Sequence, residues 1–192
     1  AAEIKVTGSG DPFGSRHFRR VLGKIAATDA EGPRLQLQTN CVLFDRRAWD
    51  ELGLAGHVRS VWVSVDAATP ETYAKLRRGG DYQRLLKNLE MLGELRAADA
   101  FSEFRLDCVV QNGNFAELED FVSLARRVGA DRVHLLQLRN WGTFRPDEFR
   151  ALEVTRPDHP NHPALLEMLA RPCFGEKFVD LGNLAPLRAA KS

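Results

Sequence analysis

Short runs rich in β-branched and apolar residues alternate along the chain with longer segments of helical spacing, and this alternation constrains the fold to a parallel α/β sheet. Five strand–helix units are predicted. Ile4 to Thr7 is a short strand, followed by the loop GSGDPFG and a helix from Ser15, its cap, to Ala27. Arg34 to Gln38 is the second strand, followed by a short helix that stops at Gly53. Val61 to Val65 is the third and most apolar. Two helices follow it: Thr69 caps the first with Pro70 at its opening, Gly79-Gly80 ends it, and Asp81 caps the second. Phe104 to Val110 is the fourth strand, with a helix from Phe115 to Val128 stopped by Gly129, and Arg132 to Leu138 is the fifth. Beyond Trp141 the pattern weakens at RPDHPNHP, so an extended tail is expected over 145–163, with a helix at Ala164 to Ala170.

At 192 residues and 44% hydrophobic content, the chain can bury one sizeable core. Residues 1–145 are expected to form the main body and 146–192 a C-terminal extension. Twenty-seven basic residues against 26 acidic ones give a formal net charge of +1, too weak a field to imply nucleic acid or an anionic membrane as partner. No apolar run reaches the roughly 20 residues that cross a bilayer, and AAEIKVTGSG lacks the regions of a secretory signal, so the expected location is cytoplasmic. Cys41, Cys108 and Cys173 are too far apart in sequence for a disulfide framework or a metal knuckle.

Five parallel strands fit a partial barrel or an open doubly wound sheet, and in both a ligand lies at the strands' carboxyl ends. The loops to inspect are therefore Gly8 to Phe13, Thr39 to Cys41, Asp66 to Thr69, Gln111 to Asn114 and Gln137 to Gly142. Asp11 is either an acceptor for an ammonium group or part of an ordinary strand-to-helix turn. Strand alternation places Ser64 and Asp66 opposite Val63 and Val65, where Asp66 meets a ligand or caps the following turn. Arg77 and Arg78 end a helix, where a guanidinium clamps a carboxylate or stabilises the helix terminus. His134 inside an apolar strand reads as structural. His159 and His162 beside Asp158 have metal-like spacing but no fourth ligand.

Taken together, GSGDPFGS, LQLQTN, VWVSVDAATPETYAKLRRGGDYQRLLKNL and LDCVVQNGN resemble the core of radical S-adenosylmethionine enzymes, in the branch often carrying a SPASM-type C-terminal domain. The resemblance covers about residues 3 to 140. It implies a partial (β/α) barrel that binds S-adenosylmethionine and a [4Fe-4S] cluster, and an iron–sulfur oxidoreductase activity that modifies a small-molecule or peptide substrate by radical chemistry. Ser9, Gly10, Asp11 and Pro12 match the family's loop for the methionine ammonium, with aspartate where glutamate is commoner, and Asn40 joins this set from the second strand. Ser64, Asp66 and either Arg77 or Arg78 match the residues that hold the cofactor's carboxylate and ribose. Val110, Gln111 and Leu136 to Leu138, with Gln137 among them, match the segments that flank adenine.

The departure from the family is the absence of its CxxxCxxC loop and of a strand to carry it, and the three distant cysteines do not replace three close thiolates. The expectation is a fragment, inactive by itself, lacking the first barrel strand and the cluster ligands. Its exposed sheet edge beside Ile4 to Thr7 would invite dimerisation. The tail FVDLGNLAPLRAAKS also lacks cluster cysteines, and Phe178, Val179 and Leu181 are its expected apolar anchors. Two alternatives stand beside this reading: a cluster-less barrel that binds a small molecule or a protein, and an unrelated α/β enzyme with Asp11 or Asp66 as general base.

Overall fold

The computed structural model describes residues 2–6, 10–28 and 32–189. Its six strands are β1 (Glu3–Val6), β2 (Arg34–Thr39), β3 (Val58–Ser64), β4 (Glu103–Val110), β5 (Arg132–Gln137) and β6 (Val179–Asp180). The helices are α1 (Arg16–Ala26), α2 (Arg46–Glu51), α3 (Pro70–Leu76), α4 (Tyr82–Ala97), α5 (Leu118–Arg127), α6 (Pro146–Leu152), α7 (His162–Leu169) and α8 (Ala185–Ala189). All six strands are parallel and join one sheet in the order β1-β2-β3-β4-β5-β6. Strand order that follows the sequence is the winding of a (β/α) barrel, whereas a doubly wound sheet reverses direction at a switch point. The topology thus decides what periodicity left open.

The local stop and start signals act as their chemistry dictates. Ser15, Thr69 and Asp81 stand before α1, α3 and α4, and each side chain accepts a backbone N–H of the first turn. Gly53 and Gly129 end α2 and α5 in left-handed backbone, at φ 63° and 75°. The helix expected at Ala164 to Ala170 is present as α7, and the tail departs from expectation in also forming α6, α8 and a sixth strand, β6, whose Val179 and Asp180 pair with Val133 and His134. A strand of two residues carries no period that a sequence can display. Among the described residues, no helix is long and apolar enough to cross a membrane.

Contacts divide the chain into two compact units. The first comprises residues 1–64, 79–106 and 126–131. Leu35, Leu37, Val61 and Val63 are fully buried on one sheet face, alternating with Gln36, Gln38, Ser60 and Trp62 on the other. On that polar face Trp62 lies between Lys5, 4.4 Å from the ring centroid, and Arg105 at 3.4 Å, a double cation–π contact. A run of aromatic neighbours, Phe13–Phe44–Trp49–Phe101–Phe104, fills the core, with Phe13 and Phe44 stacked at 3.9 Å. The second unit comprises residues 65–78, 107–125 and 132–192. Val179 and Leu181 are buried as expected of anchors, and Phe178 is half-buried. Arg188 of α8 donates to the carbonyls of Leu169 and Arg171, satisfying the exposed end of α7.

Gly93 lies inside α4, where alanine would ordinarily favour the helix by about 1 kcal/mol. Here a Cβ would sit 2.0 Å from the Val128 carbonyl oxygen, a backbone atom that cannot turn away. The clash outweighs propensity: Gly93→Ala is expected to destabilise the fold by about 3 kcal/mol, read as a lower urea midpoint with unchanged slope. A neutral or stabilising outcome would show that α4 does not pack this closely.

Candidate functional site

In the first unit, the loop after β1 is organised by Asp11. Its Oδ1 accepts the Phe13 N–H at 2.9 Å, closing an Asx turn, and the Gly14 N–H donates to its carbonyl at 3.1 Å. Its Oδ2 accepts the Thr39 hydroxyl at 2.6 Å and the Asn40 N–H at 2.7 Å, tying this loop to the end of β2. Asp11 therefore builds the turn, yet a carboxylate offers about four acceptor positions and three are in use. Gly10 precedes it at φ 95°, exposed, with open space where a Cβ would stand. Pro12 and Phe13 are buried. Ser9, expected in this set, lies outside the described residues.

The end of β2 is fixed just as closely. The Thr39 hydroxyl accepts the Cys41 N–H at 2.9 Å, and Asn40 Oδ1 accepts the Val42 N–H at 3.0 Å. Cys41 adopts φ 63°, which turns its carbonyl and that of Val42 toward the buried Asn88 amide, at 2.7 and 3.2 Å. Asn88 was not singled out from the sequence, because its partners are 47 and 46 residues away along the chain. Ser64 ends β3 half-buried.

In the second unit, Asp66 is a buried residue at φ 65°, a left-handed conformation that aspartate tolerates better than most. This corrects the alternation expected through Ser64 and Asp66: the pleat ends before Asp66. Its Oδ1 accepts the Val109 N–H at 2.8 Å, and its Oδ2 meets Arg77 Nη2 at 2.6 Å. Arg77 is the partner and Arg78 is exposed. Arg77 Nε is buried with no hydrogen bond. The Asn114 amide donates to the carbonyls of Asp66 and Val109 at 2.8 and 3.0 Å, while its Oδ1 accepts the Gln111 N–H at 2.9 Å. Glu117 accepts the Ala68 N–H at 2.8 Å and the Thr69 hydroxyl at 2.9 Å. The Gln137 amide is engaged with Thr155 at 2.8 Å and Glu153 at 3.4 Å, and Val110 is fully buried.

His159 and His162 meet backbone carbonyls, whereas His134 Nδ1 is buried without a hydrogen bond among the described residues. His134 stands 3.8 Å from Asp107 and 3.9 Å from Asp180. His159 Nδ1 accepts the Asn161 N–H, so Nε2 carries the proton that is donated to the Ala151 carbonyl at 3.2 Å. His162 Nδ1 lies 3.2 Å from the Val154 carbonyl. Burial pushes the Cys41 and Cys108 thiols well above their ordinary range, which disfavours the thiolate that metal binding needs. Among the described residues, no group of three or more histidine, cysteine or acidic side chains could hold a metal ion. These cysteines do not fit an iron–sulfur cluster.

A sequentially ordered parallel sheet, with polar side chains gathered in the loops at its strands' carboxyl ends, defines a fold of the (β/α) barrel class. The profile of the Radical SAM superfamily matches residues 3–102, and the chain belongs to that superfamily. It is 27% identical over 161 residues to a GTP 3′,8-cyclase of Rhizobium etli, covering 82% of this chain and 44% of the relative. It is 31% identical over 134 residues to the mycofactocin maturase MftC of Mycobacterium ulcerans, covering 66% of this chain and 32% of the relative. The chain thus spans less than half the length of these relatives. In fold it is similar to Streptococcus suis SuiB bound to S-adenosylmethionine, with a TM-score of 0.61 and 13% identity over 94% of this chain and 38% of that one. It is also similar to TYW1 with a lysine-pyruvate adduct bound, with a TM-score of 0.57 and 16% identity over 88% of this chain and 50% of that one.

Burial raises the Asp66 pKa above the ordinary carboxylate value, against the opposing pull of Arg77 and the Val109 amide. The folded state then holds this proton more tightly than the unfolded chain does. The stability due to Asp66 is full below about pH 4 and declines as pH rises through its raised value. The stability difference between wild type and Asp66→Asn is expected to shrink over that window in urea titrations at successive pH values. A difference that stays flat, or grows, would mean that Arg77 outweighs burial.

Proposed function

We propose that this chain is the cofactor-binding portion of a radical S-adenosylmethionine enzyme that modifies a small-molecule or peptide substrate, and that Asp11 receives the cofactor's methionyl ammonium. The observation that carries the reading is the Asp11 carboxylate, held by Phe13, Thr39 and Asn40 with one acceptor position to spare beside the open Gly10. Preorganisation of this kind makes an ammonium contact effective, because the carboxylate loses no further freedom on binding. Gly10 lets the ligand approach the backbone. Asn40 fixes Asp11 through its own N–H and acts as a positioning residue.

Membership of the superfamily and likeness in fold to a S-adenosylmethionine-bound protein support the cofactor. In such enzymes the bound cofactor supplies hydrogen-abstracting radical chemistry, and the protein contributes orientation and exclusion of water. The relatives divide on substrate: one is a cyclase named for GTP, and SuiB has also been solved with its precursor peptide SuiA. Both substrate classes therefore stay within the reading.

The test crosses a ligand change with a residue change. A charge-assisted hydrogen bond is worth about 1.5–3 kcal/mol, roughly tenfold or more in affinity. Asp11→Asn is expected to weaken S-adenosylmethionine by about tenfold in calorimetric titration while leaving 5′-methylthioadenosine, which lacks the ammonium, unchanged. Equal losses for both ligands would mean that Asp11 only shapes the loop, and no binding of either by the wild-type chain would sink the reading.

A further inference from the structure

The segment RPDHPNHP, read from sequence as part of an extended tail, forms the wall of a cavity of about 530 Å³ in the second unit, within the range of small-molecule sites. Asn112, in the loop after β4, lines it together with Arg150 of α6, Arg156, Asp158 and Asn161. None of these residues belongs to the loop around Asp11.

Its charges are arranged around one carboxylate. Arg150 Nη2 donates to Asp158 Oδ2 at 3.0 Å, and Arg156 donates through Nε at 3.0 Å and through Nη2 to both oxygens. These four contacts use up the acceptor capacity of Asp158, which is about four positions. The two guanidiniums hold its carboxyl well below the usual carboxylate range, so it stays ionised. Among the described residues, Nε and Nη1 of Arg150 and Nη1 of Arg156 have no hydrogen-bond partner. Asp147 also lines the cavity, and its carboxylate shares Arg145, at 3.4 Å, with that of Glu148, at 3.5 Å.

The amides beside them are left half-used. Asn161 stands at the cap position of α7 but makes no side-chain cap bond. Its Nδ2 donates instead to Asn112 Oδ1 at 2.8 Å, leaving Asn161 Oδ1 as an acceptor and Asn112 Nδ2 as a donor. Asn161 is held in place by its own N–H, which donates to His159 Nδ1 at 3.1 Å. The Asn112 N–H, likewise, donates to the Leu152 carbonyl at 2.8 Å. A free donor and a free acceptor side by side match one amide group, and the unpaired N–H groups of two neighbouring guanidiniums match one carboxylate.

We propose that this cavity binds a small molecule carrying one carboxylate next to an amide, the carboxylate on Arg150 and Arg156 and the amide on Asn112 and Asn161. This assignment is independent of the cofactor reading and of Asp11. The probe is N-acetylglycine, titrated into the full chain while the Asn112 and Asn161 side-chain amides are followed by NMR. Saturable shifts are expected, with affinity about tenfold above that for N-acetylglycinamide. Arg150 is two-thirds exposed, so Arg150→Gln leaves the unfolding midpoint unchanged, and it is expected to weaken N-acetylglycine by about tenfold. Equal binding of acid and amide, no saturable shift, or wild-type affinity in Arg150→Gln would overturn the site. Tighter binding of inorganic phosphate than of N-acetylglycine would overturn the assignment to a carboxylate.

Discussion

Where a parallel strand ends, its last amides and carbonyls leave the ladder while still buried, and each one without a partner costs about 1–3 kcal/mol. Most of the polar side chains in the candidate sites answer this constraint. In the first unit, Asp11, Thr39, Asn40 and Asn88 satisfy the loops after β1 and β2. In the second, Asp66, Asn114 and Glu117 do the same after β3 and β4. The left-handed backbones of Cys41 and Asp66 persist because these bonds over-determine them.

The two aspartates meet the same demand with different reserves. Asp66 is buried, and its oxygens go to one backbone amide and one guanidinium, so its charge is set against desolvation. Asp11 is only half-buried and takes all three of its bonds from neutral donors. No cation neutralises it within its own loop. A ligand cation would complement such a carboxylate, and this is why the proposed reading assigns the ammonium to Asp11 rather than to Asp66.

Legibility in the sequence follows the range of the interaction. Ser15, Thr69 and Asp81 were readable as caps because a cap bonds its own helix three residues on, and Gly53 and Gly129 because left-handed backbone favours glycine. The choice between Arg77 and Arg78 was not readable. It depends on where Asp66 points, and Asp66 leaves the strand's alternation. Asn88 and Asn114 carry no periodic signal, since one bonds carbonyls 47 and 46 residues away and the other a carbonyl 48 residues away. The order of the strands was equally out of reach of periodicity, which reports what an element is and not which neighbour it takes.

RPDHPNHP illustrates how a structured segment can imitate a linker. Proline removes a donor and fixes φ, so a scan for periodicity reads it as a break. At the first turn of a helix the missing donor costs nothing, and Pro146 and Pro163 occupy that position in α6 and α7. His159 then reaches back to the Ala151 carbonyl in the last turn of α6, and His162, the first residue of α7, to the Val154 carbonyl between the helices. With the backbone satisfied by imidazole rings, Asn161 is released from capping and turns its amide to Asn112 instead. Hydrogen-bonding capacity left over on an ordered backbone is what the proposed site draws on.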